Sequence, residues 1–136
     1  SYCVIPTLDI SPSELPALTI SVWVKLSDYG NERGWLITHD DGGCDRSILM
    51  HDTRWGYDDN GNGYMGLGAG CTATRASSMG VAPLDTWLHV VGVWNVNGDG
   101  FASMYANMQS QHFEESGEGN GDTYVTIGGH DVRFLL

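Results

Sequence analysis

From residue 18 to residue 26 the chain alternates without a break. Leu18, Ile20, Val22, Val24 and Leu26 fall on one side, and Thr19, Ser21, Trp23 and Lys25 fall on the other. A period of two is that of a β-strand with one buried face and one wetter face. Residues 87–94 and 101–105 are two further runs rich in β-branched and aromatic side chains, separated by a polar Asn/Gly/Asp cluster at 95–100. That pattern predicts a β-hairpin. Shorter strands are expected at 2–5, 35–38, 46–52, 64–68 and 124–127. A loop containing residues 58–63 (Asp-Asp-Asn-Gly-Asn-Gly) joins 46–52 to 64–68, and residues 40–43 turn the chain. Residues 7–17 hold Pro12 and Pro16 and read as an extended connection with room for one turn of helix at 13–15. Residues 72–86, rich in Ala, Ser and Thr and containing Pro83, read as a second connection.

No segment sustains an apolar period of 3.6 with caps at both ends. The class is therefore all-β, and many short strands with glycine-rich turns imply a two-sheet sandwich. The chain has 136 residues, 41% of them hydrophobic, which suffices for one domain with a single two-layer core. Its 19 glycines fall mainly between the apolar runs, where tight turns need them. Six Lys/Arg against 17 Asp/Glu give a net charge of −11. Such a charge opposes a phosphate backbone, so nucleic acid is not an expected partner. No apolar run approaches the roughly 20 residues that span a bilayer, and no membrane insertion is expected. The sequence shows no initiator methionine or targeting segment and is expected to be a mature product or a piece of a larger protein.

Four segments together carry a family resemblance. They are residues 18–25 (Leu-Thr-Ile-Ser-Val-Trp-Val-Lys), 83–94 (Pro-Leu-Asp-Thr-Trp-Leu-His-Val-Val-Gly-Val-Trp), 104–107 (Met-Tyr-Ala-Asn) and 124–129 (Tyr-Val-Thr-Ile-Gly-Gly). In order and spacing they resemble the F-T-I-S-x-W-V-K, L-x-x-W-x-H-V-A-x-V, L-Y-V-N-G and L-x-I-G-G segments of laminin-G-like jelly-roll domains in the concanavalin A-like lectin/glucanase superfamily. The resemblance covers residues 2 to about 130. It implies a two-sheet antiparallel jelly roll in an extracellular or cell-surface setting. It also implies that Trp23, Trp87 and Trp94, at the family's strand positions, are structural, and that His89 makes a sheet hydrogen bond.

Three departures stand out. The family's F-D-G-x-x-D-Y strand before the position of Tyr2 is absent, and its closing F-x-G-x-I-D-E-V-R-I-Y strand is reduced to residues 131–134. Met108 replaces the turn glycine expected after Asn107. Shortened outer strands leave open edges. Residues 1–136 are thus expected to form a single domain of a larger extracellular protein, the alternative being a complete but compact variant.

Cys3, Cys44 and Cys71 lack the close pairing of a zinc site. If 46–52 and 64–70 form a hairpin in which Asp52 faces Tyr64, Cys44 and Cys71 sit nearly opposite each other at its open end. A disulfide there closes a loop of about 27 residues and stabilises by roughly 3 kcal/mol. Cys3 is then left for a partner outside the chain. Three reduced, buried cysteines are the other reading. A disulfide agrees with secretion.

Three kinds of chemistry merit weighing. Asp58 and Asp59 lie in a glycine-bent loop, and Asp40 and Asp41 lie in another, so calcium is a candidate cofactor. Calcium takes six to eight oxygen ligands, and the spacing fails the EF-hand pattern. Hairpin turns also select Asp, Asn and Gly for their backbone angles alone. A glycan platform needs exposed rings beside hydrogen-bonding groups, and Trp55 and Tyr57 next to Asp58, Asp59 and Asn60 fit that description. The competing reading folds Trp55 back over the sheet edge. Catalysis has no support: the E-x-D-x-x-E strand of retaining glucanases is missing, and His39, His51, His89, His112 and His130 have no neighbouring nucleophile in sequence. No catalytic residue is assigned.

The expectation is a non-catalytic recognition or adhesion module that binds glycan or extracellular protein through rim loops 40–46, 54–63 and 95–100. The alternative is a structural segment of an extracellular assembly, joined to neighbours through Cys3 and open strand edges.

Overall fold

Alternation along the chain becomes two sheets facing one another. The computed structural model describes residues 3–6, 8–11, 14–29, 33–38, 46–69, 72–75, 79–95, 101–114 and 124–129. Among the described residues ten strands run in chain order as β1 (Cys3–Pro6), β2 (Ala17–Lys25), β3 (Arg33–Thr38), β4 (Ser47–Tyr57), β5 (Gly63–Ala69), β6 (Thr72–Arg75), β7 (Trp87–Asn95), β8 (Phe101–Ala106), β9 (Gln109–Glu114) and β10 (Tyr124–Gly129). Six form one antiparallel sheet in the order β1-β10-β3-β4-β5-β6, and four form the other in the order β2-β7-β8-β9. This is the jelly-roll sandwich expected from the sequence.

The core lies between the sheets. Val24, Leu88, Val90, Trp94, Ala102 and Met104 from the four-stranded sheet meet Leu36, Ile48, Met50, Met65, Leu67 and Val125 from the six-stranded one. Leu18, Ile20 and Val22, the rest of the apolar side of β2, are partly buried against this cluster. Trp94 is fully buried, and its indole N–H donates to the Gly68 carbonyl at 2.8 Å, tying the two sheets together. Its ring lies over Gly92, where an added Cβ would stand 2.7 and 2.9 Å from ring carbons and 3.1 Å from Ile48 Cδ1. Glycine is needed at this point because the ring takes the space of a side chain.

Arg46, just before β4, is 1% exposed. Its guanidinium donates to the carbonyls of Ile10 at 3.1 Å, Leu15, and Pro16 at 3.4 Å, fastening the β1–β2 connection to the six-stranded sheet. Where a helical turn was expected there is a single hydrogen-bonded turn, with the N–H groups of Glu14 and Leu15 donating to the Ser11 carbonyl at 3.2 and 2.9 Å.

The β4–β5 register has Asp52 opposite Tyr64, as expected, but shifts between Leu49 and Asp52 so that Ser47 faces Gly68. Three features differ from the sequence reading. The connection at 72–86 contains a strand, β6, and residues 109–114 form β9, for which no strand was expected. Also, β4 continues to Tyr57, so Trp55 and Tyr57 stand at a strand end rather than in a loop.

Candidate functional site

The outer face of the four-stranded sheet is built by the polar side of the same alternation. Successive side chains of a strand point to opposite faces, so burying Val24, Leu88, Val90 and Trp94 turns Trp23, Trp87, His89 and Val91 outward. Registry then sets the neighbours: Trp23 is opposite His89, Ser21 opposite Val91, and Val91 opposite Tyr105. Trp23 is 64% exposed and Trp87 57%, large values for indoles within strands. The Trp23 and His89 rings stack with centroids 4.9 Å apart and 23° between planes, and His89 Nε2 lies 2.8 Å from Ser21 Oγ. A matching pair sits across β8 and β9. Ser103 Oγ lies 2.7 Å from His112 Nδ1, and the Tyr105 ring meets His112 edge-on at 6.3 Å.

An open groove of about 450 Å³ is lined by Trp23, Trp87, His89, Val91 and Tyr105, together with Ala106, Asn107 and Met108 at the end of β8. Asn107 and Met108 form the two-residue turn between β8 and β9, with φ of +51° and +62°. Among the described side chains that these strands turn outward Lys25 is the one formal charge with histidine neutral, while the register sets Glu114 opposite Phe101, at a strand position on the same face as Ser103 and Tyr105. The described part of this face is mainly aromatic and uncharged. It offers flat rings for stacking and hydroxyl, imidazole and amide groups for hydrogen bonding. Among the described residues neither imidazole is hydrogen-bonded to a carboxylate, so the two Ser–His pairs there have no orienting third group of the kind a nucleophilic triad uses.

The sequence-predicted site belongs to the other sheet. Tyr57 is 63% exposed at the end of β4. After it, residues 58–62 close on themselves. Asp58 Oδ1 accepts from the N–H groups of Asn60 and Asn62, both at 2.9 Å, and Oδ2 accepts from the Asn62 side-chain amide at 3.0 Å. These bonds, the Asn62 side chain foremost, hold the Asp58 carboxyl below the usual carboxylate range. Gly61 supplies the positive φ of +80°, and a Cβ at Gly63 would lie 2.5 Å from the Asp52 backbone. Beside the turn, Tyr29 donates to the Ala82 carbonyl at 2.6 Å and stacks on His51 at 5.2 Å, while His51 Nδ1 accepts from the Gly63 N–H at 2.9 Å. Burial pushes the Tyr29 phenol up, and the Asp58 charge adds to the shift.

Asp59 and Asn60 are exposed at the tip of the turn. The Trp55 side chain, Asp40, Asp41, Cys44 and Cys71 lie outside the described residues. Among the described residues no group of three or more His, Cys, Asp or Glu side chains converges to hold a metal. With Asp58 engaged by its own turn, the described part of this loop does not fit calcium by itself.

Sequence reasoning expected Trp23, Trp87 and Trp94 alike to be structural; the structure buries Trp94 and leaves Trp23 and Trp87 exposed. The signal was present in the parity of the strand: Trp87 and Trp94 are seven residues apart on β7 and so must face opposite ways. Only one of them can be core.

The sequence pattern of the laminin-G-type family of the concanavalin A-like lectin/glucanases superfamily matches residues 1–133. At family level this supports a carbohydrate- or protein-binding module, in a superfamily of generally non-catalytic, typically extracellular domains whose members often bind calcium. No curated protein matches the chain in sequence at a significant level. Among solved structures, CG-16, a homodimeric agglutinin from chicken liver, superposes with a TM-score of 0.56 at 10% identity, covering 100% of this chain and 97% of that one. A native heptameric SAP-like pentraxin from Limulus polyphemus superposes with a TM-score of 0.53 at 19% identity, covering 97% of this chain and 62% of that one. Both are similar in fold.

Proposed function

This chain belongs to the laminin-G-type family of the concanavalin A-like lectin/glucanases superfamily, and from that premise we propose that it is a non-catalytic, extracellular glycan-binding module. Its platform is the outer face of the four-stranded sheet. One observation carries the reading: Trp23 and Trp87 are each more than half exposed on a single face, in one groove with His89 and Tyr105. Indoles left this exposed add little burial to the fold, whereas the apolar face of a pyranose stacks on such rings while its hydroxyls meet Ser, His and Asn groups. The domain spans 1–136 as one unit of a larger extracellular protein.

Titration with neutral oligosaccharides, followed by intrinsic tryptophan fluorescence and calorimetry, tests this. Saturable binding lost in both Trp23→Ala and Trp87→Ala supports the platform. Binding unchanged in both rejects it and moves the site to the rim, where exposed Tyr57 beside Asp58, Asp59 and Asn60 supports a second reading that includes Trp55. Repeating the titration with a chelator tests whether the rim loops, with Asp40 and Asp41 joining Asp58 and Asp59, use calcium. Cys3, exposed on edge strand β1, is the feature that supports attachment to a neighbour in an assembly. Ser47 faces Gly68 at the open end of the β4–β5 pair, and they lie three positions along the chain from Cys44 and Cys71 respectively, which supports a Cys44–Cys71 disulfide. A mass difference of two hydrogens on reduction checks it.

A further inference from the structure

The β8–β9 turn carries a methionine in a conformation that favours glycine. A two-residue hairpin loop with positive φ at both positions is normally Asn-Gly, because a side chain at the second position is strained. Asn107 fits that preference and Met108, at φ +62°, does not. Nor does Met108 pack: its exposure of 107% means that it touches almost nothing of its own fold. It nevertheless lines the aromatic groove together with Asn107, Val91 and the two indoles. A strained residue that contributes nothing to the core is best explained by what it presents outward.

We propose that Asn107 and Met108 make this groove prefer a sugar bearing an acetamido group over one bearing only hydroxyls. An acetamido group has an N–H, a carbonyl and a methyl. The Asn107 side chain offers an acceptor and a donor to the first two, and the Met108 thioether is a soft apolar contact for the third. The indoles hold the ring itself, and the residues that line the groove include no carboxylate, which suits an uncharged ligand. The inference rests on the glycan-platform reading and adds the identity of the substituent.

The test compares chito-oligosaccharides, which carry the group, with cello-oligosaccharides of equal length, which do not. Wild-type protein is expected to prefer the former by about tenfold, the scale at which a small apolar contact discriminates. Met108→Gly is expected to reduce that preference to below about threefold while raising the melting temperature by about 3 °C, because the left-handed strain is relieved. Trp23→Ala is expected to weaken both sugars together. A wild-type protein that binds both alike, or a preference unchanged in Met108→Gly, overturns the acetamido inference and leaves the platform standing. Binding of neither sugar overturns both, as does a dimer that Trp23→Ala dissociates without any sugar binding.

Discussion

The two faces of the four-stranded sheet use the same residue types for opposite ends. On the inner face Trp94 is fully buried, anchored by a hydrogen bond to Gly68 and fitted over a glycine. On the outer face Trp23 and Trp87 stand in solvent, stacked or flanked by residues of the same sheet. Indole chemistry is constant between the two, so the difference is one of parity within the strand. An aromatic residue in a strand is thus evidence for neither core nor site until its face is known.

The sharpest way to break that contrast is Trp94→Ala. Removing a buried indole and orphaning the Gly68 carbonyl is expected to destabilise by about 4 kcal/mol, measured by urea unfolding. Trp23→Ala, an equal truncation on the outer face, is expected to alter stability by less than about 1 kcal/mol. If the two losses were similar, the outer face would be part of the folding core after all. Next comes Gly92→Ala, which forces a methyl into the Trp94 ring and is expected to cost about 2 kcal/mol. Equal stability in the alanine variant would mean that the ring has room to move.

The smallest effect lies in the rim and serves as a control for both faces. Because the folded-state pKa of Asp58 is depressed, its contribution is present above the unfolded carboxylate value and is lost as the pH falls below about 4. The amide resonances of Asn60 and Asn62 are expected to report this loss, and Asp58→Ala to abolish their titration. Sugar binding on the sheet face should not follow it. A shared titration would join the rim and the groove into one site.

Much of this was legible in the residues, and the omissions have a common cause. Strands β2, β7, β8 and β10 announce themselves because each packs one apolar side on the core. Thr72–Arg75 and Gln109–Glu114 carry little such alternation, and they are β6 and β9, the outermost strands of their sheets. Edge strands are often polar, which guards against unwanted pairing and hides them from an apolar pattern. The groove was half legible. Alternation assigned Trp23 to the wetter side with Ser21, but its neighbours His89 and Tyr105 come from other strands, and only the register brings them together. The strain at Met108 was visible merely as a missing glycine. The closed geometry of residues 58–62 arises from side chains that bond within their own turn, so an acidic sequence that suggests a metal turned out to be self-satisfying at Asp58.

The position of β10 has a consequence for how the chain comes into being. It sits between β1 and β3, pairing Cys3 with Ile127 and Ile37 with Ile127 from its other side. During vectorial synthesis β1 therefore emerges before its partner and waits while nearly the whole domain follows. The four-stranded sheet needs no such delay for most of its length, since β7, β8 and β9 close as successive hairpins. Local pairing is fast and distant pairing slow, so the nascent chain acquires its aromatic face before its six-stranded sheet is sealed. In that interval the open edges of β1 and β3 are where a growing chain is most exposed to wrong partners, and where chaperones have most to protect.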